Sequence, residues 1–186
     1  MNTYPQQVID ADANCNDKVK TLQAETESEA NQVRIDYRKK LERLFEQRQE
    51  SLDKIEGFWS GVLAATDTPL KPLLNGTIDP KIVRAITSFK VTTFVKDGLL
   101  CRNVSVVLRP NMFAEQGTIH RAVDTHLQTL SMEPIKWKSG TERARQDSVF
   151  RFFTPGCDDE GFIDDALDAF DTVFQNPFLA LEPNED

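Results

Sequence analysis

Few side chains in this sequence are of types and spacings that could do chemistry together. Two histidines occur, His120 and His126. Their even spacing places both on one face of an expected strand, where neither meets an obvious nucleophile or metal partner. A satisfied or solvent-facing histidine is the simpler reading. The acidic pairs Asp158-Asp159 and Asp164-Asp165 have the residue type for acid/base work. Adjacent residues on a helix point in different directions, however, and nothing near either pair would raise one pKa. Asp10-Ala11-Asp12-Ala13-Asn14 opens like a calcium loop, yet Cys15 stands where that loop needs glycine and Thr21 where it needs glutamate. There is no phosphate-binding glycine loop, no Gly-x-Ser-x-Gly and no dinucleotide fingerprint. The residues therefore predict no catalytic centre, no metal site and no cofactor.

Charge is the stronger signal. From Phe152 to Asp186 there are ten acidic residues and no Lys or Arg, so the preceding 151 residues carry 22 basic against 20 acidic side chains. The last 35 residues thus carry a charge of -10 against +2 for the rest, which together give the net charge of -8. Clustered carboxylates attract basic partners and speed encounter, with screening beyond about 10 Å at 0.1 M salt. The three cysteines, Cys15, Cys101 and Cys157, are far apart, odd in number and in no metal-ligand spacing, which suits free thiols in a reducing compartment. No signal-peptide pattern and no run near the ~18 apolar residues of a membrane span is present, so an intracellular chain with no membrane partner is expected. On that view the sequons at Asn75 and Asn103 are chance matches.

The elements that must position these charges begin with residues 12–56, which contain no Pro or Gly. Val19, Leu22, Val33, Tyr37, Leu41, Leu44, Phe45 and Leu52 recur there at steps of three or four, the period of one long amphipathic helix. At 1.5 Å per residue it would run roughly 60 Å, more than a domain of this size can cover. The stripe therefore predicts a homodimer interface made by those eight residues. Thr26 and Arg48 fall on the stripe and break a strict heptad, which favours two nearly straight antiparallel helices over a long supercoil. Residues 1–11 read as a flexible leader, and 57–186 as one globular domain. In that domain Asp79-Pro80 reads as the start of a short helix through Ile86. Phe89 to Lys96 and Leu99 to Leu108 read as a hairpin turning at Asp97-Gly98. Ile119 to Leu127 and Ile135 to Trp137 read as third and fourth strands of an antiparallel meander. An acidic amphipathic helix closes the chain, with Phe162, Ile163, Leu167, Phe170, Val173 and Phe174 on its apolar side.

Three ordered segments carry a resemblance. Tyr37-Arg38-Lys39-Lys40 through Phe45, Arg48 and Leu52, ending Ile55-Glu56-Gly57-Phe58-Trp59, resembles the end of the dimerisation helix in the nucleosome assembly protein family, whose signature there is Ile-Pro-x-Phe-Trp. Ile135-Lys136-Trp137-Lys138-Ser139-Gly140 is similar to a stretch of that family's SET branch. Ser148-Val149-Phe150-Arg151-Phe152-Phe153-Thr154, the acidic helix and Asn176-Pro177-Phe178 resemble the same branch's C-terminal region. The resemblance spans residues 15–182, with Glu56 in place of the signature's proline. It implies an α+β fold: a long N-terminal dimerisation helix, then an α/β "earmuff" domain with a roughly four-stranded antiparallel sheet and C-terminal helices. It implies a histone chaperone of nucleus and cytoplasm that assists nucleosome assembly and disassembly, with core histones as partners and DNA or chromatin as a further candidate. The SET branch also suggests an alternative, a phosphatase inhibitor or enzyme-cofactor regulatory protein. Histone binding falls by implication on Asp158, Asp159, Glu160, Asp164, Asp165, Asp168 and Asp171, with Glu182, Glu185 and Asp186 auxiliary.

Overall fold

The computed structural model describes residues 5–65 and 67–178. Helix α1 spans Gln6–Leu52. It starts ahead of Asp12 because Pro5 opens it, its carbonyl accepting from Val8 N at 2.9 Å, and Gln6 reaches Asp10 at 2.8 Å. Residues 6–11 are thus helical rather than a leader. The helix also stops before Gly57. Past Leu52 the bonds tighten, Ile55 N meeting Leu52 O at 3.0 Å, and Gly57 at φ 74° redirects the chain into α2, Phe58–Ala64.

The chain divides at Leu41/Glu42 into two compact units. The first is helical. Val19, Leu22, Val33 and Tyr37 are exposed in it, while Ile35 is buried.

The second unit holds the end of α1, α2, α3 (Asp79–Val83), strands β1 (Ile86–Lys96), β2 (Leu99–Leu108), β3 (Gly117–Val123) and β4 (Thr129–Glu133), and α4 (Glu160–Gln175). The four strands form one antiparallel sheet in chain order. The β1–β2 turn puts Asp97 at φ 52° and Gly98 at φ 78°, the paired positive angles that match the twist of a two-residue hairpin. Phe89, Val91, Val104, Val106, Leu108, Ile119 and Val123 are buried on one face of the sheet. Against it pack Trp59 of α2, Phe150, Phe152 and Phe153, and Phe170 and Phe174 of α4. Trp59 stacks on Phe174 at 5.6 Å and meets Phe89 edge-on at 5.2 Å. Such pairs add about 0.5–1.5 kcal/mol each beyond burial.

Three element readings need correction. Helix α3 ends at Val83, and Ile86 begins β1, paired with Leu108. The third strand ends at Val123 because Asp124 Oδ1 accepts from His126 N at 2.8 Å and Gln128 N at 2.9 Å, with Leu127 at φ 60°. That Asx-type turn takes His126 off the strand that carries His120. The fourth strand is Thr129–Glu133, while Ile135-Lys136-Trp137 makes only an isolated bridge from Trp137 to Ala114. Asp10 to Asn14 lies within α1, so it is helix and not a loop.

Candidate functional site

Helix α4 sorts its residues by face. Ile163, Ala166, Leu167, Phe170, Val173 and Phe174 are buried, while Glu160, Asp164, Asp165 and Asp168 are exposed, as are Asp158 and Asp159 before them. Asp159 is the N-cap, its side chain accepting from Phe162 N at 3.2 Å. Carboxylates at this end also meet the positive pole of the helix dipole, which favours them.

Only some of these charges are matched. Asp168 takes an ion pair from Arg102 of β2 at 2.6 Å, and Arg102 also reaches Asp171 at 3.5 Å. Asp159 lies 3.7 Å from Arg151, whose guanidinium covers the Phe162 ring at 3.8 Å. Both partners of that pair are well exposed, and such pairs contribute little. Asp158, Glu160, Asp164 and Asp165 form no ion pair among the described residues. Asp171 leaves the expected binding set: it is 4% exposed, turned toward Arg102, because its place one turn after Leu167 lies on the apolar side of α4. Glu182, Glu185 and Asp186 lie outside the described residues.

Three residues that carried no site expectation hold this surface in place. Arg121 of β3 is 3% exposed and donates to Phe152 O at 2.8 Å, Cys157 O at 3.0 Å and Thr129 Oγ1 at 2.7 Å. It thereby fastens the loop before α4 to β3 and to the first residue of β4. Asp79, fully buried, accepts from Ser148 Oγ, from Val149 N at 2.9 Å and from Asn75 N at 2.8 Å. It is therefore not the expected N-cap of α3, and it anchors instead the segment that brings Phe150, Phe152 and Phe153 under α4. Arg48 of α1 donates to the carbonyls of Phe174 and Gln175 at the far end of α4, between the rings of Phe45 and Phe174 at 4.7 and 4.9 Å. A cation at a helix C-terminus meets the negative pole of the dipole. Burial pushes the Arg48 guanidinium below its ordinary pKa.

The expected dimer stripe divides as well. Val19, Leu22, Val33, Tyr37 and Leu44 are exposed, and Leu41 is half-buried. Leu52, 5% exposed, belongs to the core, and Phe45 packs edge-on against Phe174 at 5.6 Å. Those two contacts are made within one chain, which corrects their assignment to a partner helix.

No family model matches the sequence, and no curated protein matches it. Solved structures do match, and what they share with this chain is the fold. Nucleosome assembly protein S from Plasmodium falciparum superposes with a TM-score of 0.63 at 20% identity, over 94% of this chain and 99% of its own. Ccp1 gives a TM-score of 0.67 at 18% identity, over 94% of this chain and 99% of its own. The Vps75 histone chaperone gives 0.54 at 14% identity, over 95% of this chain and 96% of its own. The long helix followed by a four-stranded antiparallel sheet and an acidic closing helix is thus the fold of nucleosome assembly proteins.

Proposed function

We propose that this chain is a histone chaperone, which binds basic core histones through its acidic surface and assists nucleosome assembly and disassembly without itself catalysing a reaction. The observation that carries this reading is the set of carboxylates Asp158, Glu160, Asp164 and Asp165, exposed and without ion pairs among the described residues. Asp159 and Asp168, each shared with an arginine, extend the same surface. Histones bind DNA nonspecifically through their positive charge, and a competing negative surface can shield them by electrostatics alone. The fold shared with nucleosome assembly protein S and the Vps75 histone chaperone supports the reading.

In this proposal the chain works as a homodimer in nucleus and cytoplasm. Val19, Leu22, Val33, Tyr37 and Leu44, the exposed part of the stripe, would cover one another across two copies. Helix α1 up to Leu44 then serves association, and the domain that its last turns join serves histone binding. The test is capture of core histones by the purified chain at about 0.15 M salt, beside an unrelated acidic dimer. Specific retention is expected, with most of it lost when Asp158, Asp159, Asp164 and Asp165 are all replaced by Lys. Capture no better than by the control protein overturns the function; capture indifferent to the four replacements overturns the site.

A further inference from the structure

The acidic surface is not uniform. Where it meets the sheet, between β4 and the loop that enters α4, lies a cleft of about 650 Å³. Its apolar lining includes Leu127, Met132, Pro155 and Ile163, and Asp158 and Glu160 border it. Strand β4 is the last in the sheet order, and its outward backbone N–H and C=O groups have no partner among the described residues. Edge strands of this kind are templates for an added strand. Arg121 also lines the cleft, but its donors are engaged by Thr129 and by the carbonyls of Phe152 and Cys157, so it ties the two walls together and does not await an anion.

From this geometry we infer that the cleft takes an extended, Lys- or Arg-bearing peptide segment, which adds to β4 as a fifth strand and sets a cationic side chain beside Asp158 and Glu160. The inference rests on the reading of the partner as a basic protein and names the part of it held here, an unfolded tail and not a folded face. Three features converge on that occupant. The strand edge supplies main-chain hydrogen bonds, the apolar lining accepts the methylene stem of a long cation, and two carboxylates with no ion pair among the described residues meet its head. A polyanion would face the same carboxylates, which excludes nucleic acid from the cleft.

The probe is a fluorescein-labelled peptide of alternating Lys and Val, titrated against the full chain by anisotropy at about 0.15 M salt. Asp158→Lys with Glu160→Lys should weaken binding about tenfold. Asp164→Lys with Asp165→Lys, an equal charge change on exposed residues outside the cleft lining, should change it about twofold or less. The neutral pair Asp158→Asn with Glu160→Gln should weaken it in the same sense as the Lys pair, by less. The same peptide N-methylated at alternate residues keeps its charge and should lose most of its affinity. Peptide binding should also slow hydrogen exchange at Leu130, Ser131 and Met132. Equal loss from both Lys pairs, undiminished binding of the methylated peptide or unchanged exchange in β4 would each overturn the inference. If histones are still captured in that event, the chaperone reading stands and only the cleft is wrong; if histones are not captured at all, the reading beneath it has failed.

Discussion

Helices α1 and α4 are both amphipathic, but they finish differently. The apolar residues of α4 are buried by their own chain, down to 1% exposure for Phe170 and Phe174. Those in the first part of α1 are not: Leu22 is 62% exposed and Val33 68%. Burying a large aliphatic side chain is worth on the order of 1.5–3 kcal/mol, so α4 is held by what its own chain supplies, whereas the exposed stripe of α1 gains little of that stabilisation from its own chain. The polar faces invert the relation. On α4 the water-facing Glu160, Asp164 and Asp165 form no ion pair among the described residues, and on α1 it is the apolar stripe that is left exposed.

The largest expected effect tests the inner side of this contrast. Phe174 touches Phe45, Trp59 and Phe89, and Phe174→Ala should cost about 3–5 kcal/mol, a large share of an ordinary domain's stability of roughly 5–15 kcal/mol. Val33→Ala, made on an exposed helix face, should cost the isolated chain no more than about 0.5 kcal/mol. Urea unfolding at low protein concentration measures both. Comparable losses for the two variants would mean that α1 is as fully covered by its own chain as α4.

The outer side is tested by charge. Leu22→Asp together with Val33→Asp places two carboxylates on the stripe, each costing several kcal/mol if buried unpaired in an interface, yet little in a single chain, where both positions face water. Light scattering should report the mass of one chain, with helical circular dichroism retained. A mass of two chains would show that association uses another surface.

How much of this was legible in the sequence depends on whether the signal was local. The hairpin at Asp97-Gly98 was, because the turn's angles are demanded by the residues that make it. Strand β2 kept its expected bounds, Leu99–Leu108, for its buried side chains alternate cleanly from Val104 to Leu108. Beyond Val123 the apparent alternation misled, since Asp124 captures two amides and ends the strand. The true fourth strand is short and polar on alternate residues, as exposed edges are. Charges that interrupt an apolar period are a legible signal of an inward contact. Arg48 breaks the stripe of α1, Arg121 stands between Ile119 and Val123, and Asp171 follows Leu167 by one turn. Each proved to be turned inward onto a defined partner, because a charge on a buried face is retained only where something meets it. Which carbonyl or arginine does so is set by segments distant in the sequence, and no local pattern announces it.

The smallest expected effect concerns what keeps the apolar side of α4 covered. Asp79 ties down the Ser148–Phe153 segment, and burial pushes its carboxyl above the ordinary carboxylate range despite the three hydrogen bonds it accepts. A folded-state pKa above the unfolded value means that ionisation favours unfolding. Asp79's contribution is therefore complete below the unfolded pKa of about 3.9 and is lost as pH rises through the folded value. Asp79→Asn mimics the neutral acid, since its amide oxygen can accept from Asn75 N and Val149 N while its NH2 group donates to Ser148 Oγ. Wild type and the Asn variant should thus be nearly equal in stability at pH 4, and wild type should fall progressively behind as pH rises. Asp79→Leu removes every acceptor and should cost about 1–3 kcal/mol for the buried Val149 N–H alone, at any pH. Parallel stability curves for wild type and Asp79→Asn between pH 4 and 8 would show that the carboxylate is accommodated as readily as the acid, and that Asp79 holds the floor of α4 by its hydrogen bonds alone.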